Sequence, residues 1–521
     1  MSDNPVASAG DFSAYQAAWS PAWLRSSDSE AFRSKDQALS AARDLSRTTA
    51  YGKSAARTVI DNVIGAAFRL TVDADSLLLG VTAEQAREWE LLVKAEWFAY
   101  AESMGNAADA RRQQRFSGLM RTAFASYFVS GEALASVEWK RNEYNEFATC
   151  LLLHDPERLS DPHGMIDYGG KRRMGVEQDQ HGAPVAYWLR GTMPSDALWA
   201  PTNTYTWDRH PRTTGWGRPR ILHAFEHDRP AMTRGLSAFT TAIDPLRRHD
   251  DYIAVELEAA AVRAMFAATL TSELNYEDAL NVLGPDQRQA LQANGPLSLA
   301  LQYMTDRLQF YGGQEMKIGK TRITHLLPNE KLDTKSGNQM PGVLREFSTT
   351  ALYQIASALG VDFATLTKDY SATNYSGARV AMAEIERSYS VRRTDFISQF
   401  AAPAAYAWLE EAIVVRGTIP MLGGHSFYDK RGAVRLGFAA QGRIPIDPTK
   451  EMIAKQLAYQ TGAMSLRDIC LEADRDWREV LAQRAAEKAE MARLGLKPED
   501  VNPELLAAAN KGRELPPETE K

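Results

Sequence analysis

The sequence predicts an α+β fold that is mainly helical. Residues 83–104 carry apolar side chains such as Trp89 and Val93 at helical spacing. Residues 378–415 have the composition of one long helix. In between, residues 132–139 and parts of 147–200 form short runs of alternating polar and apolar residues, separated by Gly, Pro and Asp. Such runs are typical of antiparallel strands, so a β-rich insertion between helical parts is expected.

The overall composition is that of a folded protein with several regions. The chain has 521 residues, of which 44% are hydrophobic and 24% are charged. It is too long for one ordinary domain and too apolar for a disordered chain, so we expect two to four structural regions. Its formal net charge is −6. Proteins that hold nucleic acid over a large surface have a basic surplus, so a tight, extended grip on DNA is not expected.

The chain has two cysteines, Cys150 and Cys470, far apart in the sequence. This number excludes a disulfide scaffold and a zinc site made mainly of thiolates, and it fits a reducing cytoplasm. The N-terminal residues lack the basic segment and apolar run of a secretory signal. Because no stretch of about 18 apolar residues occurs, we expect no membrane-spanning helix.

The N-terminal part of the chain is expected to begin with a mobile arm and to continue as helices. Ser, Ala, Asp and Pro dominate residues 1–30. Helix is predicted for residues 31–65 and again for the apolar residues 116–131. Between these helices, the sequence AAFRLTVDADSLLLG (66–80) alternates like a strand and then turns.

The middle of the chain combines a connector with two helices. Residues 204–227 are predicted to contain turns and one more strand. One helix is predicted for residues 238–270, with Pro245 near its start, and another for residues 341–359. The second begins with a proline, which suits the first turn of a helix. Residues 271–340 between the two helices are mixed, with frequent Gly and Pro.

The C-terminal part is predicted to consist of a loop, a long helix, a connector and further helix. The loop covers residues 360–377 and precedes the long helix. The connector covers residues 417–448 and is rich in glycine. Its final Asp-Pro marks the start of helix that continues to about residue 493. Residues 494–521 are charged and contain prolines, so we expect a mobile tail.

The best candidate for a nucleotide site is Gly319-Lys320-Thr321. A phosphate-binding loop requires Gly, four residues, and then Gly-Lys-Ser/Thr, because its backbone N–H groups must surround the phosphates. Here Gly313 leaves five intervening residues, and no buried strand precedes the motif. We therefore favour a turn before the strand RITHLL over a site for ATP.

Other patterns for catalysis or metal binding are weak. His223 and His227 are four residues apart, but they lie in a predicted strand or turn instead of on one helix face. No serine occupies a Gly-x-Ser-x-Gly sequence. Asp250 and Asp251 are adjacent on a predicted helix and do not form a facing catalytic pair. We expect no catalytic residue, no metal site and no cofactor.

Four segments resemble the lambda-type portal proteins of tailed bacteriophages. They are GRPRILHAFEHDRPAMTRG with the helix that follows (217–266), the early run 41–65, NYSGAR (374–379) and IDPTKE (446–451). The first segment is specific to this family, and the similarity covers roughly residues 30–490. The chain departs from the family at Gly377, where a second serine is frequent, which affects the stiffness of the loop.

The resemblance implies a portal-type fold with wing, stem, clip and crown regions, and a homo-oligomeric ring, usually a dodecamer. In the family, this ring lies at one capsid vertex against the major capsid protein, is assembled in the host cytoplasm, and contacts no membrane. Double-stranded DNA passes through it without sequence specificity during packaging and ejection. Terminase docks on it first, and head-completion or adaptor proteins replace the terminase.

The regions that the resemblance implies can be assigned along this sequence. They are a mobile arm (1–30), the wing (31–237), the first stem helix (238–270), the clip (271–340), the second stem helix (341–360), the tunnel loop (361–377), the long wing helix with its connector (378–446), the crown (447–493) and a mobile tail (494–521).

Acidic residues on the first stem helix are one candidate site. The candidates are Asp250, Asp251, Glu256 and Glu258. They are expected to line the channel, because a wall that bound phosphates strongly would stall moving DNA. The alternative is that they are ordinary solvated charges on a helix.

The second candidate site is the tunnel loop, whose copies would converge on the axis of a ring. The residues are Lys368, Tyr370, Thr373, Asn374 and Tyr375. A single cation, aromatic faces and small polar groups suit weak contacts with DNA phosphates. The alternative is a plain surface loop in which Lys368 only adds solubility.

Two other functions remain open from the sequence. A capsid-associated scaffold or adaptor protein would form no DNA channel, and images of closed rings would distinguish it from a portal. An enzyme of the packaging motor, such as a nuclease or an ATPase, would need a P-loop or a cluster of metal-binding carboxylates. ATP turnover by the purified chain would reveal such an enzyme.

Overall fold

We describe the protein from a computed structural model. In it, the chain divides into two compact units. One unit comprises Met1–Ile243 and Ala356–Lys521, and the other comprises Asp244–Ile355. The described residues are 26–141, 143–165, 167, 171–196, 205–266, 316–318, 321–323, 341–371, 375–440, 448–472, 475 and 477–496.

Several helices begin where a side chain satisfies free N–H groups of the first turn. The Ser26 side chain accepts a hydrogen bond from the Ser29 N–H, and Thr82 and Gln85 form a reciprocal capping box. The helices are α1 (Ser27–Thr48), α2 (Ala50–Val63), α3 (Ser76–Leu79), α4 (Ala83–Ala101), α5 (Phe116–Val129), α6 (Ile243–Phe266), α7 (Pro341–Leu359), α8 (Phe363–Thr367), α9 (Tyr375–Phe396), α10 (Ala402–Glu410), α11 (Phe427–Lys430), α12 (Pro448–Gln460), α13 (Leu466–Glu472) and α14 (Trp477–Leu494).

The long helix predicted for residues 378–415 is continuous in the structure from α9 through α10. Two π-helical stretches, Ile397–Ala401 and Glu411–Arg416, interrupt its regular hydrogen bonding. Pro403 lies two residues after the first stretch and has no N–H to donate. The wider turn accommodates the missing hydrogen bond without breaking the helix.

The strands of the first unit form three antiparallel sheets. The orders are β1-β11, β3-β2-β8 and β4-β5-β6-β7. In β1, exposed and buried residues alternate, as the sequence pattern predicted. The strands are β1 (Arg69–Ala74), β2 (Glu132–Trp139), β3 (Thr149–His154), β4 (Arg172–Arg173), β5 (Val176–Gln178), β6 (Pro184–Arg190), β7 (Trp207–Pro211), β8 (Ile221–Phe225), β9 (Met316–Ile318), β10 (Thr321–Ile323) and β11 (Val434–Ala439).

An aromatic core joins these helices and sheets. Trp408 of α10 is fully buried, and its ring centroid lies 5.1 Å from that of Trp97, 5.7 Å from that of Tyr100 and 5.4 Å from that of Phe147. Trp97 and Tyr100 come from the face of α4 that the helical spacing predicted to be apolar. These contacts fix α4, α10 and the segment before β3 against one another.

The second unit contains most of α6 and of α7, together with the β9-β10 hairpin. The two helices contact each other through the Tyr252 and Phe347 rings, whose centroids are 4.4 Å apart. His249 is buried, and its Nε2 atom lies 3.0 Å from the Ser348 hydroxyl. Pro245 lies in the first turn of α6, and α7 begins at Pro341, as predicted.

Several boundaries differ from those that the sequence predicted. Helix α1 begins at Ser27, so the N-terminal arm is shorter than residues 1–30. The arm itself, the tail from residue 497 and most of the predicted clip lie outside the described residues. The predicted helix 238–270 begins only at Ile243, and the connector 204–227 contains two strands where one was predicted.

The structure also differs from two predicted loops. The tunnel loop contains α8, because the Asp362 side chain accepts a hydrogen bond from the Thr365 N–H and starts a short helix. The connector 417–448 contains α11 and β11, and β11 pairs with β1 from Arg69↔Ala439 to Ala74↔Val434.

Candidate functional site

The acidic residues of α6 separate into two groups in the structure. Asp251 and Glu258 are exposed and lie seven residues apart, so they share one face of the helix. Asp244, seven residues before Asp251, extends this row and is also exposed. We call these three residues the acidic row. The row places carboxylates at three successive levels along one side of α6.

The other two predicted acidic residues are partly covered. Asp250 and Glu256 are half-buried. One carboxylate oxygen of Asp250 lies 3.6 Å from Nδ1 of His249, whose opposite ring nitrogen faces Ser348. The predicted set of four therefore does not form one surface, and Asp244 belongs with the exposed pair.

The tunnel loop has a defined conformation at its start. Lys368 ends α8 in the left-handed backbone region, with φ of 60°. Its ammonium group donates a hydrogen bond to the hydroxyl of Thr58 in α2 at 3.3 Å. The Ser54 hydroxyl donates to the Leu366 carbonyl at 3.0 Å, which further joins α2 to α8. The start of the loop thus packs against α2, and the Lys368 side chain remains exposed.

The structure describes the other predicted loop residues to different extents. Tyr370 is 56% exposed and presents an aromatic face to its surroundings. Thr373 and Asn374 lie outside the described residues. Tyr375 is the first residue of α9, three residues earlier than the helix start predicted from the sequence, and its side chain is not among those described.

A buried ionic cluster around Glu132 was not predicted. Glu132 is 0% exposed, and its carboxylate contacts Lys35 from α1, His223 from β8 and Arg234 from the segment before α6. Arg234 Nε donates to both carboxylate oxygens, at 2.9 and 2.7 Å. We call these four residues the Glu132 cluster. It joins β2 to three other segments: α1, β8 and the segment before α6.

The Arg234 guanidinium also binds the loops that follow β3. It donates hydrogen bonds to the carbonyls of Leu159 at 2.7 Å, Met174 at 2.8 Å and Pro156 at 2.9 Å. The next residue must be glycine, because a Cβ atom on Gly235 would lie 2.2 Å from the carbonyl oxygen of Gly131. The Arg-Gly pair at the end of the quoted segment RPAMTRG therefore has a structural role.

The charges in the cluster shift one another's protonation. Burial alone would raise the pKa of Glu132, but Arg234 and Lys35, with His223, hold it well below its usual range. Burial and the neighbouring Arg234 lower the pKa of Lys35 to about 8, against the attraction of Glu132. Burial also lowers the pKa of His223, so its neutral ring donates Nε2–H to the carboxylate at 3.2 Å.

The sequence held a weak signal for this cluster. Glu132 opens the strand EALASVEW, where four of the next five residues are buried and apolar or small. A charged residue at such a position needs a buried partner. The sequence could not identify that partner, because Lys35 and Arg234 lie about a hundred residues away on either side.

The weak motifs for catalysis gain no support from the described geometry. Thr321 begins β10, so it does not precede the helix that a phosphate-binding loop requires; Gly319 and Lys320 lie outside the described residues. Within the described ranges, no three His, Cys, Asp or Glu side chains are arranged to hold a metal ion. None of the described helices combines the length and apolar character of a membrane span.

Comparisons with known proteins agree with the segments quoted above. A family model described as "Phage portal protein, lambda family" matches residues 14–393. The portal protein of Escherichia phage N15 is 29% identical over 492 residues, covering 94% of this chain and 90% of that protein. Portal protein B of Escherichia phage lambda is 28% identical over 466 residues, covering 88% and 84%.

Solved structures with a similar chain include the neck of a native GTA particle computed with C12 symmetry. That chain is 13% identical, with a TM-score of 0.39, and the match covers 85% of this chain and 97% of the other. A chain of the neck of an empty GTA particle, computed with C6 symmetry, is 15% identical, with a TM-score of 0.40; this match covers 88% of this chain and 94% of the other.

Proposed function

This chain belongs to the lambda family of phage portal proteins, and from that premise we propose that its copies assemble into a closed ring through which double-stranded DNA enters and leaves the capsid. The protein is a phage portal protein, and the family is structural, not catalytic. The proposal adds the ring, its channel and its place at one capsid vertex in the virion.

Exposed apolar residues on the helices support the ring. Leu257 of α6 is 66% exposed, and Val380 and Val391 lie on one face of α9 and are also exposed. Large apolar side chains on long helices favour contact with another copy, because their burial releases ordered water. A head-to-tail arrangement that closes on itself would bury such surfaces in every subunit.

Substituting one of these residues tests the ring. We expect Leu257→Glu to weaken assembly, because it would place a charge in the contact between copies. Light scattering at the ionic strength of the capsid interior measures the assembled mass. Leu77→Glu is the matched control, since Leu77 is 91% exposed on a short helix of the first unit. Equal assembly of both variants would argue against α6 as a contact.

The acidic row supports a DNA channel. Carboxylates that face DNA repel its phosphates and prevent the strong binding that would stall translocation. We therefore assign Asp251 and Glu258, together with Asp244, to the channel surface, and we extend the channel to Lys368 and Tyr370 of the tunnel loop. Each loop contact is weak, so DNA is held between steps of packaging and is still released.

The region between α6 and α7 is assigned to the clip. Its place between two stem helices suits a projection that docks terminase during packaging and head-completion proteins afterwards. Deleting residues 271–340 should abolish packaging. Normal packaging by that deletion variant would exclude this assignment. We assign the wing and the crown to the ranges given above. We also propose that the ring contacts the major capsid protein and that it is assembled in the host cytoplasm.

A further inference from the structure

A groove on the first unit begins where the N-terminal segment leaves the described structure. It has a volume of about 680 Å³, and its walls come from β5, β6, β8, the segment 227–233, the long helix and α11. Its apolar wall includes the half-buried side chains of Pro184, Met232, Pro403 and Tyr406. This volume lies in the range of about 300–1,000 Å³ of pockets that bind drug-sized ligands, which is room enough for a few large side chains.

The first turn of α1 is bonded to one wall of the groove. The Ser27 hydroxyl donates to the carbonyl of Pro230 at 3.3 Å. Asp28 accepts hydrogen bonds from the N–H and the hydroxyl of Thr233, at 2.8 and 2.7 Å. Thr233 lines the groove, and its hydroxyl accepts a hydrogen bond from Gln178, another lining residue. Residues 1–25 therefore start at the rim of the groove.

Two arginines that line the groove can pair with an acidic group. Arg212 and Arg431 are exposed and line the groove. Neither forms an ion pair with any other residue that the structure describes. The guanidinium of Arg431 lies against Gly217, where a Cβ atom would be 2.7 Å from its Nη1 atom. These guanidinium groups can pair with carboxylates or stack on aromatic rings.

The N-terminal segment has the complementary composition. Before Arg25 it contains no Lys or Arg, and it carries two carboxylates and four aromatic side chains. They are Asp3, Asp11, Phe12, Tyr15, Trp19 and Trp23. Trp23 is three residues before Ser26, so an extended chain would carry it about 10 Å from the rim. Trp19 would reach about 25 Å at full extension, and both distances suit a groove that starts at the same point.

We propose that residues 1–25 bind in the groove of their own chain, with Trp19 and Trp23 against its apolar wall and an aspartate beside Arg212 or Arg431. Attachment at Ser27 makes this binding intramolecular. A segment so tethered has an effective concentration on the order of millimolar, which favours it over the same segment of another copy. The bound segment would hold the start of α1 against the segment 227–233. This inference does not depend on the ring.

Proteolysis of the full-length chain tests whether the groove is occupied. Chymotrypsin cleaves after exposed aromatic residues, so bound Trp19 and Trp23 are protected. Met232→Glu places a carboxylate in the groove and should speed cleavage at both sites at least tenfold. Met104→Glu is the matched control, because Met104 is 91% exposed and does not line the groove. Equal cleavage rates for the original chain and Met232→Glu would overturn the proposal.

A cross-link shows whether the segment in the groove comes from the same chain or from another copy. The chain's own cysteines, Cys150 and Cys470, are buried, so introduced cysteines can be oxidised selectively. Trp23→Cys combined with Met232→Cys should give a disulfide within one chain, seen as lost thiols without a dimer band on a non-reducing gel. Trp23→Cys with Met104→Cys should give none. A dimer band from the groove pair would mean that a second copy supplies the segment, and would reject the proposal.

Discussion

Two carboxylates of the first unit and two carboxylates of α6 lie in opposite environments. In the first unit, Glu132 and Glu411 are completely buried, and each is surrounded by donors from other segments. Glu411 accepts hydrogen bonds from the backbone N–H groups of Ala148 and Thr149 at 2.8 and 2.7 Å. On α6, Asp251 and Glu258 are exposed. Buried carboxylates fix the path of one chain, whereas exposed ones form a surface for something outside it.

The two environments differ in how much a charged pair contributes to the free energy of unfolding. An exposed ion pair adds about 0–1 kcal/mol to stability, because water screens both charges. Removing one partner of a buried pair costs about 3–5 kcal/mol, since the other charge is left without compensation. Substitutions of the buried carboxylates in the first unit should therefore change stability, and substitutions of the exposed carboxylates on α6 should change what the assembled protein does with DNA.

The largest effect is expected from Glu132→Gln. This change keeps the side-chain shape but leaves Lys35 and Arg234 without their carboxylate, so it should lower the free energy of unfolding by about 3–5 kcal/mol. Denaturant unfolding of the purified chain measures the loss. Glu177→Gln is the control, because Glu177 pairs with Arg209 at the surface and its loss should cost no more than about 1 kcal/mol. Similar losses for both variants would remove the distinction between the two environments.

The next effect is a pH dependence that Lys35 produces. Its pKa is about 8 in the folded chain and 10.5 ordinarily, so between these values the unfolded chain binds more protons. Stability from this residue therefore rises with pH across that window and is constant below it. The difference in unfolding free energy between the original chain and Lys35→Met should grow by about 2 kcal/mol from pH 7.5 to pH 10. A constant difference would show that folding does not lower the pKa of Lys35.

The sequence predicted the helices well because their signals are local. Helix α4 follows the spacing of Trp89 and Val93, and α7 begins at the predicted proline. Strand β11 was missed although its residues alternate, because its partner β1 lies near the other end of the chain. Likewise, the phase of α6 against α7 decides that Asp251 is exposed and Asp250 half-covered. Such facts depend on tertiary contacts that local patterns do not contain.

A charge reversal on α6 should change DNA binding without changing stability. In Asp251→Lys with Glu258→Lys, we expect unfolding free energies within about 0.5 kcal/mol of the original. Assembled rings should bind DNA more tightly and with a steeper salt dependence, because lysines displace counterions from phosphates. Asp44→Lys with Glu88→Lys makes the same charge change at exposed positions of the first unit. Equal DNA binding by both pairs would argue against the acidic row as a channel surface.

The smallest effect on the isolated chain is expected in the tunnel loop. Lys368→Glu removes only the hydrogen bond to Thr58, so rings should form normally. Packaging or genome retention should fall, because a carboxylate would replace the cation that contacts phosphates. Retained DNA per particle is the measurement. Normal particles from Lys368→Glu and from Lys368→Ala with Tyr370→Ala would show that the loop is an ordinary surface loop without a role in the channel.

Images of the purified assembly down its axis test the central claim most directly. Class averages at the ionic strength of the capsid interior should show closed rings with one cyclic symmetry and a central channel. The subunits should contact each other head to tail, since repeated head-to-tail contacts close a cyclic ring when the rotation between copies closes. Particles that remain monomers, dimers or open filaments under those conditions would contradict the account.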